Sequence, residues 1–501
     1  MGVYEQCLRP PLGQRVAALG MRVARAGARR AARVVGAKAF ASARALSGAI
    51  APAPSVDACA WVIGAQACVQ RDAVQRDAVQ PRAVQRDAVQ PGAVQRDAVQ
   101  PRAVRPRAVQ VIGSLAAGGA ERQLALFAGE SQRLGLADQR VLTLNACEGV
   151  HAHYAPMVLD AGIPLVHAGA ATTASDEVRR RFAQDEQLRR RLMAIPLALR
   201  PYATDLAGEF LASGPDVVQA WLDHANICAG VAALAVGVPR VVLTFRSLNP
   251  THFPAWCQPW MLPWYRVLAA DARVRMCANS EAGADDYARW IGIDRARIGV
   301  VRNGLDPSVL TSADDARRAA LRDELGAAGR PLVVGVFRIG DEKQPLLFAD
   351  VARRVLAKEP RALFCVAGDG PMRDELARAA APMGGSFRLL GRRNDAIALL
   401  ATADVALLTS RVEGTPNVLV EAQAMGTPVV ATKVGGIPDA VRDGETGILA
   451  DSGDAEALSR GVLAIVHDDA LRARMSANAR AFTHAEFSLE RMSRSMCALY
   501  A

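Results

Sequence analysis

The stretch Thr409-Ser410-Arg411-Val412-Glu413-Gly414-Thr415-Pro416-Asn417-Val418-Leu419-Val420-Glu421-Ala422-Gln423-Ala424-Met425-Gly426-Thr427-Pro428-Val429-Val430-Ala431-Thr432 decides the fold of this chain. It reads as the end of a strand, a loop, a capped helix, a glycine stop and the next strand. Val405 to Leu408 is a short buried strand. Thr415 is placed to cap the helix, and Pro416 suits its first turn, where a missing N–H costs nothing. Gly426 ends the helix and Pro428 blocks its continuation. A helix entered this way turns free N–H groups and the positive end of its dipole toward whatever lies above the sheet. Glu413 stands in the loop before it and Glu421 within it, an E-x7-E spacing. Two carboxylates flanking an anion-binding helix start suit a ligand with hydroxyls at both ends and phosphate in the middle. A nucleotide diphosphate sugar has that shape.

Outward from this stretch, short apolar runs alternate with helical ones. Upstream, Val109–Ser114, Arg140–Leu144, Val217–Ala220, Arg240–Phe245 and Val274–Ala278 read as buried strands. Downstream, Pro331–Phe337, Ala362–Ala367, Phe387–Gly391, Val405–Leu408, Val429–Thr432 and Gly447–Ala450 do. This alternation gives α/β parallel sheets covered by helices on both faces. Asn303 to Arg330, with Asn-Gly, Pro307 and a polar run, is the natural break between two such sheets. Ligands of doubly wound sheets bind at the carboxyl ends of the strands, so two facing sheets would enclose a cleft.

The ordered set of motifs resembles the retaining GT-B glycosyltransferases, in particular glycosyltransferase family 4. It comprises Glu413 and Glu421, the following Gly-Thr-Pro-Val-Val-Ala-Thr, Gly435-Gly436, Ala367-Gly368-Asp369-Gly370-Pro371, Asn303-Gly304-Leu305-Asp306 and Gly118-Gly119-Ala120-Glu121-Arg122-Gln123. The resemblance covers residues 109 to 501. It implies a Rossmann-like acceptor domain over 109–305, a Rossmann-like donor domain over 306–482, and a C-terminal helix over 483–501 that packs back on the first domain. It also implies an EC 2.4 hexosyl transfer from a nucleotide-sugar donor, UDP-sugar as first choice and GDP-mannose as second. The acceptor would be a glycan or a lipid-linked glycan in cell-surface polysaccharide or lipopolysaccharide synthesis.

The resemblance also implies site roles. Glu413 would hold the sugar hydroxyls and Glu421 the ribose. Arg338 and Lys343, after the first strand of the second sheet, would hold the leaving diphosphate, together with Asn417 and Val418 at the helix start and Gly118 and Gly119 in the first domain. Only four lysines stand beside 56 arginines, so a lysine in this loop departs from local habit. The family pattern continues Lys-Gly where Gln344-Pro345 stands here. His224 looks like the histidine of a subgroup with Trp-x-x-His after this strand. A helix N-terminus disfavours its charged form, which suits a neutral hydrogen-bonding role beside the donor sugar or acceptor. The competing reading is a core or capping histidine. Arg246, at the end of the next strand, is a candidate for an anionic group of the acceptor.

No Asp-x-Asp occurs anywhere in the chain. Leaving-group charge is therefore expected to be met by protein cations and the helix start, with no metal and no cofactor. A sugar-nucleotide epimerase of the same fold is the rival enzyme reading, and a non-catalytic scaffold is the rival outside enzymology. A phosphorylase would need a lysine for its cofactor, and none stands in context apart from Lys343.

The formal charge of +10 sits before residue 109. Residues 1–69 carry nine basic side chains against two acidic ones, and residues 70–108 carry eight arginines against four aspartates, which leaves the remainder close to neutral. Nucleic acid is therefore not an expected partner of the enzyme-like part. Residues 69–109 repeat Ala-Val-Gln-Arg-Asp and Ala-Val-Gln-Pro-Arg, with Pro81, Pro91, Pro101 and Pro106 interrupting. Such a repeat builds neither a core nor a continuous helix, so residues 1–108 read as a basic, disordered extension. Its residues 20–48 form a basic Ala/Arg pattern able to lie on an anionic membrane. Arg179–Arg181 and Arg189–Arg191 read as a salt-bridged solvated face, with lipid head groups or a pyrophosphate-linked acceptor as the alternative ligand. No run reaches the ~18–20 apolar residues of a membrane span, and no signal-peptide core opens the chain. The nine cysteines never form C-x-x-C. A cytoplasmic protein, with peripheral contact to the inner membrane face, is the expectation.

Overall fold

The computed structural model describes residues 105–169, 184–197, 199–311 and 313–501. The pentapeptide repeat up to residue 104, the basic 20–48 pattern and Arg179–Arg181 lie outside the described residues.

Among the described residues two parallel sheets form. The first has seven strands: β1 (Arg107–Ile112), β2 (Asp138–Thr143), β3 (Leu165–His167), β4 (Val217–Trp221), β5 (Arg240–Phe245), β6 (Val274–Ala278) and β7 (Ile298–Val300), in the order β3-β2-β1-β4-β5-β6-β7. The second has six: β8 (Leu332–Val336), β9 (Leu363–Ala367), β10 (Phe387–Gly391), β11 (Val405–Leu408), β12 (Val429–Thr432) and β13 (Gly447–Ala450), in the order β10-β9-β8-β11-β12-β13. All eleven expected strands are present. The edge strands β3 and β7 were not expected; at three residues each they are too short to show a pattern. The first strand starts at Arg107, two residues inside the expected extension, because Arg107 grips Asp216 through its backbone N–H (2.8 Å) and its guanidinium.

Both sheets reverse strand order once, between β1 and β4 and between β8 and β11. A doubly wound sheet opens a crevice at such a point. Helices cover both faces, so the strands are apolar along their length: Val217, Val218, Val241–Leu243 and Leu332–Val334 are all essentially inaccessible. The first-sheet core includes Trp264, Tyr265, Tyr287, Phe210 and Phe245, the second Phe348, Phe364 and Phe487. Full burial of one such ring is worth ~1.5–3 kcal/mol.

A third apolar cluster, around Phe127 and Trp221, draws Leu489, Met492 and Met496 from the helix Leu489–Cys497. The chain thus crosses back to the first domain. At the crossing, Leu305 N donates to Phe487 O at 2.6 Å and Leu305 bridges Ser488. Gly304 is needed there, because a Cβ would meet Leu489 Cδ1 at 2.7 Å. Tyr500 ends the return: its hydroxyl donates to Gln219 (2.6 Å) and accepts from Gln110 (3.0 Å), and Gln110 also accepts from Trp221 Nε1 (2.9 Å). Six described cysteines are free thiols. Among the described residues no helix is long and apolar enough to cross a membrane.

Candidate functional site

Four loops meet where the two crevices face one another. The loop after β1 carries Gly118 and Gly119; that after β4 carries His224; that after β8 carries Arg338 and Lys343; that after β11 carries Glu413 and leads into the helix Asn417–Ala424. Each follows a central strand beside a switch point, so the topology itself assembles these residues.

Glu413 is buried in its loop and accepts from Ser410 Oγ (2.6 Å) and from Lys343 Nζ. Two glycines shape that loop. Gly435 lies at φ +50°, and a Cβ there would stand 2.0 Å from Glu413 O; a Cβ on Gly414 would meet Arg246 O at 2.5 Å. Gly436 N donates to Glu413 O. The Arg338 loop is braced similarly. Gly368 (φ +148°) and Gly370 leave room for Phe337 O and Ile339 O, while Ile339 N donates to Asp369 O at 3.0 Å. Arg338 itself is exposed and paired with Glu342 at 3.0 Å. Gln344, the first residue of the Gln344-Pro345 departure from the family's Lys-Gly, adopts the left-handed conformation at φ +47°. The loop shape that glycine would permit is therefore kept by a residue that is strained in it.

Thr415 does not cap the helix. Pro416 holds the cap position with no side-chain capping bond, and Thr415 Oγ1 instead donates to Asn279 O of the first domain at 2.7 Å. The pull of that interdomain bond outweighs local capping. The first internal bond of the helix is Leu419 N to Pro416 O, so the N–H groups of Asn417 and Val418 precede the ladder. The Asn417 side chain accepts from Asn303 (2.6 Å) and Gln123 (3.4 Å) and donates to Gly119 O (3.5 Å).

Gly118 and Gly119 open the helix Gly119–Arg133. The space a Gly118 side chain would take is filled by Glu121, whose Oε2 would lie 2.2 Å from a Cβ there. Burial pushes the Glu121 carboxyl up to about 7. Arg122, one residue on, reaches across the cleft and bonds Glu421 Oε1 at 2.5 Å. Burial pushes Glu421 above the usual carboxylate range, and Arg122 offsets only part of that. Burial works against the Arg122 charge, yet Glu421, Tyr154 and Asp306 hold it above its usual value.

His224 is the second residue of the helix Asp223–Val236 and is half-buried. Burial lowers its pKa to about 4. Its ring meets Tyr202 and Trp260 edge-on, both from the first domain, at 5.3 and 6.3 Å. The turn that presents it is strained at Leu222 (φ +73°) and anchored by Asp223, which accepts from Tyr265 (2.6 Å) and Tyr287 (2.7 Å). The Arg246 guanidinium stacks over Trp221 at 5.0 Å and donates to Asn303 Oδ1 at 2.5 Å. Burial lowers its pKa to about 10.

Arg122, Gln123 and Asn303 had no role in the reading of the sequence, although each lies in a quoted motif. Gln123 clamps Gly304 through both its amide groups (2.9 and 2.8 Å), and Asn303 joins Arg246, Thr415 and Asn417. All are polar residues of glycine-containing motifs, a signal of position but not of partner.

Two facing doubly wound domains with paired carboxylates and cations in the crevice define the GT-B class. Residues 117–309 match Glycosyltransferase Family 4 and residues 317–482 match Glycosyl transferases group 1. The chain belongs to this glycosyltransferase family. The Vi polysaccharide biosynthesis protein VipC/TviE of Salmonella typhi is 29% identical over 356 residues, 68% of this chain and 61% of that protein. The D-inositol 3-phosphate glycosyltransferase of Mycobacterium sp. (strain KMS) is 40% identical over 195 residues, 37% of this chain and 43% of its own. The chain thus spans less than two thirds of either relative. Among solved structures, Anabaena Alr3699/HepE in complex with UDP and glucose superposes with a TM-score of 0.62 at 21% identity, over 79% of this chain and 99% of that one. That likeness is one of fold.

Proposed function

We propose that the protein transfers a sugar from a nucleotide-sugar donor to a glycan or lipid-linked acceptor, with retention at the anomeric carbon, in surface polysaccharide or lipopolysaccharide assembly. The observation that carries this reading is the convergence of Glu413, Lys343, Glu421 and Arg122 around the start of the Asn417–Ala424 helix. The UDP held by HepE and the polysaccharide role in the Salmonella protein's name favour a UDP-sugar and a glycan acceptor; GDP-mannose is the second choice.

Glu421 accepts from the vicinal ribose hydroxyls and Glu413 from hydroxyls of the transferred sugar. Lys343, Arg338 and the N–H groups of Asn417 and Val418 take the diphosphate charge. The Gly118-Gly119 loop closes over the diphosphate from the first domain, and Arg246 takes an anionic group of the acceptor. The anomeric carbon–oxygen bond to phosphate breaks as the acceptor oxygen attacks from the same face. The acceptor proton passes to the departing phosphate oxygen, so no side-chain base is required. His224, neutral at pH 7, serves as a hydrogen-bonding partner. Protein cations supply the charge, so the reaction needs no metal.

The test incubates the full chain with UDP-glucose, UDP-galactose, UDP-N-acetylglucosamine and GDP-mannose and a panel of glycan acceptors, with and without EDTA. Release of nucleoside diphosphate that depends on acceptor, an α-linked product by NMR and full rate in EDTA are expected. Release confined to added manganese or magnesium overturns the metal-free mechanism, and a β-linked product overturns retention.

A further inference from the structure

We propose that Arg122 is a donor-phosphate ligand of the first domain, held in reserve on Glu421 until the nucleotide arrives. The inference rests on the donor-site reading above. Arg122 stands in the first turn of the helix that follows Gly118-Gly119, at the carboxyl end of β1. Its guanidinium is bonded to Glu421 across the cleft, with the two side chains only 19% and 9% exposed.

This pairing and ribose binding compete for the same carboxylate. A carboxylate that accepts from two vicinal ribose hydroxyls turns both oxygens toward the ligand, which weakens its hold on Arg122. Glu421 holds the Arg122 charge more than Tyr154 or Asp306 does, so its withdrawal leaves a buried guanidinium under-compensated. The donor brings the compensating anion with it. Its diphosphate follows the ribose along the ligand, on the side of the glycine turn that carries Arg122. The second pair repeats the logic. Lys343 rests on Glu413, so a cation suited to phosphate neutralises a carboxylate suited to sugar hydroxyls. The donor therefore enters by partner exchange: hydroxyls replace the cations on the two glutamates, and phosphate oxygens replace the glutamates on the two cations. Charge stays compensated before and after, and Arg122 makes the exchange sensitive to domain closure because it comes from the opposite domain.

The test compares a nucleoside with its diphosphate. Titration calorimetry would measure uridine and UDP, and guanosine and GDP, on the full chain, Arg122→Gln, Arg122→Lys and Glu421→Gln. A charged hydrogen bond to phosphate predicts that the preference for diphosphate over nucleoside falls about 10- to 150-fold in Arg122→Gln and is partly restored in Arg122→Lys. In Glu421→Gln, Arg122 is released beforehand, so uridine weakens while the preference for UDP over uridine rises. An unchanged preference in Arg122→Gln means that Arg122 only orients Glu421, and overturns the proposal. Should Arg122→Gln fail to fold, a preference that falls in Glu421→Gln overturns it instead. If the unsubstituted chain binds neither diphosphate, the donor-site reading fails, and the proposal with it.

Discussion

At the residue scale, Glu413 and Glu421 should fail differently. Glu421 lies on the helix and, in the proposed function, serves the ribose that every nucleotide shares, so Glu421→Ala should weaken free nucleoside diphosphate about 10- to 150-fold. Glu413 lies in the preceding loop and, in the proposed function, faces the sugar; Glu413→Ala should not weaken diphosphate binding but should lower turnover. Calorimetry beside steady-state kinetics checks both, and the opposite pattern would swap the roles. Glu121 offers a pH signature. Its folded pKa of about 7 stands above the ordinary 4.5 because of burial, so between those values the folded protein keeps a proton that the unfolded chain releases. Its contribution is therefore present below pH 4.5 and is lost as pH rises to 7, by at most ~3 kcal/mol. Glu121→Gln should raise the melting temperature more at pH 8 than at pH 5; an equal change at both would show that the carboxyl is not held protonated. The E-x7-E pair was legible because its spacing straddles a helix start. Arg122 was not, because its partner lies 299 residues away and no local pattern encodes a cross-cleft ion pair.

At the element scale, strand–helix alternation was readable wherever a strand is buried on both faces, and it failed only for the short edges β3 and β7. The helix start at Pro416 was half readable. Local capping rules pointed to Thr415, but the hydroxyl is drawn to Asn279 O by domain contact, which outranks propensity. Gln344 shows the reverse, a local departure with the backbone kept. Holding a non-glycine residue at φ +47° costs ~1–2 kcal/mol, part of which glycine would give back as unfolded-chain entropy. Gln344→Gly should therefore raise stability by up to ~1 kcal/mol in chemical denaturation while leaving the Lys343 loop active. A loss of stability would show that the Gln344 side chain itself contributes more than its backbone strain removes.

At the scale of the whole molecule, the two-sheet plan followed from the order of motifs. The closeness of the domains did not, since it depends on residues such as Gly414 and Gly436 whose neighbours belong to the other half. A Cβ on Gly436 would meet Ser280 Cβ at 2.4 Å. Removing residues 1–104 should leave the melting transition and diphosphate affinity unchanged, because the proline-broken repeat has too few apolar residues to join a core. Loss of the transition in the shortened protein would overturn that reading. The return of the Leu489–Cys497 helix carries its own consequence. The chain passes between the halves twice, and the two passages are hydrogen-bonded side by side at Leu305 and Phe487. A single cut in the 306–314 link would thus leave two polypeptides in which the second supplies Met492, Met496 and Tyr500 to the core of the first. The halves are not separable modules: severed, they would be mutually dependent fragments, and the first expressed alone would lack part of its own interior.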